Sequence, residues 1–172
     1  MLRPYTDFKN KRLWKRIDYD WAYWYQCVDL IKQYADEVLH LWKIGAIGNA
    51  KNIPNNKLFR TFSKFTTNNL MQWDIIVRTQ WTYGHIAIVD RILNWRVYVL
   101  EQNGSWKNSW NGLWDNAIRI KDYPRSFYNI VLRDQTIIDN YNNELTVIKS
   151  RIEEYENLIK ITKEYQECIR YS

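Results

Sequence analysis

Within residues 74–102 three short runs, DIIVRT, GHIAIVDRI and RVYVLEQ, follow one another with only polar breaks between them. Their length and β-branched residues suit strands, and their closeness along the chain makes them antiparallel neighbours in one sheet. NAIRI, near residue 118, reads as another strand. Ahead of these runs, CVDLIKQYADEVLHL sets Val28, Leu30, Ile31, Tyr34, Val38 and Leu41 at steps of three and four. That is one apolar face of a helix starting at Cys27, and the absence of proline agrees. A helix followed by an antiparallel sheet predicts an α+β domain. Residues 1–20 are polar and basic and read as a strap with little regular structure. Residues 42–72 hold the loop IGNAKNIPNNK and a stretch that fits no element.

The texture changes after about residue 134. Ile138, Tyr141, Leu145, Ile148, Ile152, Tyr155 and Ile159 recur in steps of three and four amid charged residues, a heptad-like stripe on one long helix. The chain therefore divides into a domain over 1–133 and a helical tail over 134–172. The tail's stripe either packs on its own domain or self-associates. No run approaches the roughly 18 apolar residues of a membrane span. MLRPYTDFKNKRLWKRID has charge without an apolar stretch behind it, so no secretory signal is read. Cys27 and Cys168 are too far apart for a disulfide framework or a zinc pattern, and read as reduced thiols. A net charge of +6 favours an anionic partner, whether nucleic acid, membrane surface or cell wall, without choosing among them.

A thiol becomes a nucleophile when it ionises, and a helix N-terminus promotes ionisation through its free N–H groups and dipole. Cys27 stands where the polar strap enters the helix. Only two histidines are available to serve it. His40, thirteen residues along the same helix, would lie about 20 Å away at 1.5 Å per residue. His85 opens a β-run, where a neighbouring strand could set it against the helix start. An imidazole also needs an acceptor on its other nitrogen. The next strand ends in VLEQN, offering Glu101, Gln102 and Asn103, and alternation sends Glu101 and Asn103 to the same face.

YQCVDLIKQY, DIIVRTQWTYGHIAIV and VYVLEQNG, in this order and at this spacing, resemble the three signature segments of the CHAP family. These are cysteine, histidine-dependent amidohydrolases/peptidases with a papain-like fold that cut peptidoglycan. The likeness covers roughly residues 14–125. It implies Cys27 as nucleophile, His85 as general base, Glu101 as the group that orients the imidazole and Asn103 as a further polar member. It makes Gln26 a candidate for stabilising the oxyanion. The implied function is a peptidoglycan hydrolase of the phage endolysin or virion-lysin type, a cysteine peptidase or amidase. Such a protein is made in the host cytoplasm and reaches the wall through a holin or in a virion. Competing readings are a wall-binding or tail-structural protein that has lost catalysis, and nucleic-acid binding based on the charge and 28 aromatic residues. Nucleic-acid binding leaves the three-segment match unexplained and is not expected.

Asp18, Asp20, Ala22, Trp24 and Asp29 fall at positions 1, 3, 5, 7 and 12 of a calcium loop. Carboxylates stand at 1, 3 and 12, and backbone carbonyls could serve at 5 or 7. Some CHAP enzymes bind calcium in this segment, so the resemblance implies Ca²⁺ as the one candidate cofactor; the alternative is that Asp18 and Asp20 are solvated and Asp29 bonds locally. The loop departs from the usual pattern, with Tyr23 at the glycine position and Asp rather than Glu at 12.

One composition figure is abnormal: ten Trp against five Gly. The CHAP pattern has glycine where this chain has Trp21, Trp24 and Trp73. Trp95 stands at a strand turn, and Trp106, Trp110 and Trp114 punctuate a polar loop. Trp14, Trp42 and Trp81 read as comfortably as glycine. The expectation is that most or all ten are glycine in the native protein, from a gene whose UGA codons mean glycine. The alternative is a tryptophan-rich protein that uses its aromatics for carbohydrate stacking or for core.

Overall fold

The β-branched runs pair as their spacing predicts. In a computed structural model, which describes residues 3–41, 44–104 and 116–170, they form β2 (Ile75–Arg78), β3 (His85–Leu93) and β4 (Arg96–Glu101). β1 (Ser63–Phe65), β5 (Arg119–Pro124) and β6 (Ile130–Arg133) complete an antiparallel sheet of order β1-β6-β2-β3-β4-β5. The strand near residue 118 is β5. β6 was not foreseen; it is four residues long and enters between β1 and β2, pairing Ile75 with Leu132.

Two helices precede the sheet in the chain. α2 (Cys27–Glu37) is shorter than its sequence pattern, because Val38 caps it and His40, at φ 55°, turns the chain away. Leu30, Ile31, Tyr34 and Ala35 are buried against Ile75, Val77, Ile86, Ile88 and Leu100. Ile76, Ala87, Val89, Val97 and Val99 point to the opposite face and form a second core with Tyr123, Tyr128 and Val131. Both faces of the sheet are therefore covered, which is why the strands read as continuous apolar runs. Each buried Ile or Leu contributes about 1.5–3 kcal/mol.

The N-terminal strap is instead a helix, α1 (Arg3–Arg12). Tyr5 and Phe8, one turn apart, anchor it on the Tyr34 ring at 6.2 and 5.5 Å. A β-bulge between Val89 and Arg91 turns Asp90 toward it, where Tyr5 Oη (3.1 Å) and Lys9 Nζ (2.8 Å) bond the carboxylate. Residues 50–69 form three short 3₁₀ turns and β1.

α3 (Gln135–Arg170) is the long helix of the heptad stripe. The chain divides into two compact units, Leu2–Ile137 and the remainder from Ile138. In the second unit Tyr141, Ile148, Ile152, Tyr155 and Ile159 are all exposed. No helix among the described residues is long and apolar enough to cross a membrane.

Candidate active site

Gln26 is the N-cap of α2, and its backbone N–H donates to Asp29 Oδ2 at 2.8 Å. Cys27 is thereby the first helical residue, buried at 9% exposure. Opposite it, β3 begins at His85. Gly84 launches the strand at φ 76°, with Lys51 N only 2.4 Å from where a Cβ would stand, so no side chain fits there. Pairing of β3 with β4 then brings His85 to Glu101, the last residue of β4.

His85 Nε2 lies 3.0 Å from Glu101 Oε2, and both side chains are buried. Nδ1 is the ring nitrogen left for the thiol. Burial pulls the imidazole pKa down. Hydrogen bonds and charge from Cys27 and Glu101 outweigh it and raise the pKa to about 9. Glu101 is also desolvated, yet its pKa is lowered by His85 and by the Tyr123 hydroxyl, which donates at 2.9 and 3.1 Å. Arg119 Nε adds a contact at 3.4 Å. Gly104 closes over the carboxylate: a Cβ there would come within 2.2 Å of Oε1. Trp81 and Tyr128 flank the imidazole, ring centroids at 6.0 and 6.3 Å. The constellation is a helix-start thiol, an imidazole and a buried carboxylate in series, which suits proton transfer to and from a nucleophile.

Residues 18–103 match the CHAP domain family model. The chain belongs to the CHAP family.

The CHAP assignment is joined by structural likeness. The crystal structure of wild-type endolysin LysIME-EF1 matches with TM-score 0.61 and 19% identity, over 77% of this chain and 63% of that one. Ly7917 matches in two crystal structures at TM-score 0.52, with 15% and 17% identity, each over 77% of this chain and 62% of that one; the second holds the hydrolyzing product of MDP. Such identities show a shared α+β fold, and the chain spans under two thirds of those proteins' length. Comparison with curated proteins finds no match.

Other CHAP-segment residues stand beside the series. β4 ends at Glu101, so strand alternation does not carry on to Asn103, which has φ 54°. Asn103 does not reach the imidazole. Its Nδ2 donates to Gln26 Oε1 at 3.2 Å, and Gln26 Nε2 donates to Tyr23 O at 2.6 Å. Gln102, fully buried, grips both ends of the preceding loop. Its Oε1 accepts from Ile17 N (2.8 Å), and its Nε2 donates to Ile17 O (2.7 Å) and Gln26 O (2.8 Å). Sequence reasoning missed Tyr123 and the clamp made by Gln102, since both act across long chain separations.

Carboxylate oxygens of Asp18, Asp20 and Asp29 lie within 4.8 Å of one another, a spacing that oxygen ligands of one Ca²⁺ can have. Asp18 Oδ1 is buried and has no hydrogen-bond partner. Burial, with repulsion from Asp20 and Asp18, raises the Asp29 pKa to about 6 against the Gln26 N–H and Lys32. Lys32, itself buried, pairs with Asp20 and holds that carboxyl below its usual range. Ala22 donates its N–H to Asp20 Oδ1 at 3.2 Å, and Trp24 stands in the same loop.

That loop is strained. Trp21, Tyr23 and Trp24 have φ of 59°, 63° and 65°. The left-handed region costs an L-residue about 1–2 kcal/mol each. Trp81 and Trp95 do not share it. Trp81 meets Phe127 edge-on at 5.4 Å under Arg78, and in the β3–β4 turn Asn94 takes the positive φ. Trp42, Trp106, Trp110 and Trp114 lie outside the described residues, as does the Cys168 side chain.

Proposed function

We propose that this chain hydrolyses an amide or peptide bond of bacterial peptidoglycan through a Cys27 acyl-enzyme, as a phage endolysin or virion lysin. The observation that carries the reading is the His85 imidazole held between buried Glu101 and a thiol at the start of α2. His85 takes the Cys27 proton, and the thiolate sulfur bonds to the scissile carbonyl carbon. The oxyanion is met by the Cys27 backbone N–H and by the Gln26 amide proton not engaged with Tyr23. The C–N bond breaks as His85 returns its proton to the leaving amine. Water then attacks the thioester, with His85 as base, and frees the acid and the thiol. Glu101 keeps the imidazole oriented throughout, and Asn103 holds the Gln26 side chain. Membership of the CHAP family and likeness to an endolysin support a wall substrate, reached through a holin or in a virion.

Incubating purified peptidoglycan with the protein, then identifying new termini by mass spectrometry, tests the reading and names the bond. Cys27→Ala should yield none. An intact wall, with a Cys27 that reacts no faster with a thiol probe than an ordinary cysteine, would favour a non-catalytic wall-binding protein.

The same loop suits Ca²⁺, with Asp18, Asp20 and Asp29 as its carboxylates and Ala22 or Trp24 supplying a carbonyl. The unpartnered Asp18 oxygen and the mutual repulsion of the three groups support it. Lys32 competes for Asp20. Calcium should raise the melting temperature and a chelator reverse it. Asp18→Asn is the cleaner control, because Asp20→Ala also strips Lys32 of its partner.

A further inference from the structure

Four of the six described tryptophans have a left-handed backbone: Trp14 (φ 66°), Trp21 (59°), Trp24 (65°) and Trp73 (72°). Bulky side chains rarely adopt this conformation, and glycine adopts it freely. Trp14, Trp21 and Trp24 gain nothing in return, being 66%, 89% and 78% exposed. Trp73 packs on the core, but its indole N–H is buried with no acceptor. The backbone at Trp73 is fixed by neighbours, its N–H donating to Val89 O at 2.8 Å, so the turn cannot relax without loosening the sheet. We propose that these four residues are glycine in the functional polypeptide, their codons being read as glycine in the organism of origin. Tyr23 and His40 are left-handed without being tryptophan, so the fold tolerates some strain; tryptophan alone carries it at most of its described positions. Sequencing the gene should find UGA at 14, 21, 24 and 73, and UGG at these positions overturns the proposal. Independently, the protein with all four changed to glycine should melt higher and clear peptidoglycan faster than the chain as written. Trp81→Gly alone should melt lower, because that ring is packed. A four-glycine protein that melts lower than its parent overturns the proposal on physical grounds.

A different observation concerns α3. Ile138, Leu145, Ile152, Ile159 and Gln166 occupy one heptad position (a), and Tyr141, Ile148, Tyr155, Thr162 and Ile169 the other (d). We infer that this face is covered by a second copy of the chain in a parallel, in-register two-stranded coiled coil. In that register Thr162 meets Thr162 and Gln166 meets Gln166, so the polar layers stack together at one end. A fully overlapped antiparallel pair would set Gln166 against Tyr141 and Thr162 against Leu145. Arg151 of each copy, flanking the seam at g, also faces Glu156 of the other at e, an attractive pair repeated by symmetry. The full chain should sediment at twice its monomer mass, and Ile152→Asp should return it to one copy. Leu145→Cys should oxidise to a covalent dimer, as residue 145 meets itself only in the parallel arrangement and would face Thr162 in the antiparallel one. A monomeric mass at every concentration, a larger assembly, or no disulfide in the Leu145→Cys protein would overturn the inference.

Discussion

The two units of the chain handle exposure in opposite ways. In Leu2–Ile137 most described buried charges have an ionic partner within the unit: Asp74 with Arg133 at 2.7 Å, Asp90 with Lys9, Lys32 with Asp20, His85 with Glu101; Asp29 instead accepts from the Gln26 backbone N–H. Along α3 the apolar seam is exposed, Ile152 at 50% and Tyr155 at 63%. Burying charge is tolerable only when it is paired, and leaving an apolar stripe in water is tolerable only until something covers it. The first unit carries its folding instructions internally. The second is completed, on the inference drawn above, by another copy of the chain.

The largest effects should come from the chemistry of the first unit. Cys27→Ala and His85→Ala should each lower hydrolysis by about 10³-fold or more while leaving circular dichroism unchanged, and appreciable lysis by either would remove the series from its proposed role. Next, Asp74→Ala should strand the Arg133 guanidinium in the core and cost about 3–5 kcal/mol, measured by urea unfolding. A cost under about 1 kcal/mol would mean that water already reaches the pair. Glu101→Ala should lose both activity and stability, whereas Glu101→Gln, which can still accept from Tyr123, should keep more of each.

A milder test is pH. The folded pKa of His85, about 9, stands above its ordinary 6.5, so the stabilisation from its proton is complete below about 6.5 and is lost as pH rises through about 9. The melting temperature should fall over that window, and His85→Ala should flatten the fall. The smallest effect belongs to α3. Tyr155→Ser should change the melting of the first unit by less than about 0.5 kcal/mol, as at other exposed positions. A large loss there would erase the contrast between the units.

What could be read from the chain follows the range of the forces involved. β2 to β4 and the start of α2 were legible because apolar periodicity is local. The His85–Glu101 contact was legible because both stand at strand ends and the three-segment resemblance singles them out together with Cys27. α1 was hidden because its buried aromatic anchors are Tyr5 and Phe8, and their partner Tyr34 is remote in sequence. β6 was hidden because its pairing with β1 closes a loop from Phe65 to Val131. Tyr123 and Gln102 looked like ordinary polar residues until the sheet placed one on Glu101 and the other on Ile17. Asn103 was misplaced because strand alternation stops two residues before it. The left-handed tryptophans show the reverse: a conflict between residue and backbone that composition flagged before any fold was known.

The Gln102 clamp has a consequence for how this protein can change. A single side-chain amide on β4 holds the segment on both sides of residues 18–25, at Ile17 and at Gln26. The position of Cys27 is therefore surveyed from the sheet and not handed down along the loop. The loop becomes a replaceable cassette. Its length and its acidic residues can change while Gln102 keeps the start of α2 in place, so the loop can be rewritten without moving the thiol or the imidazole.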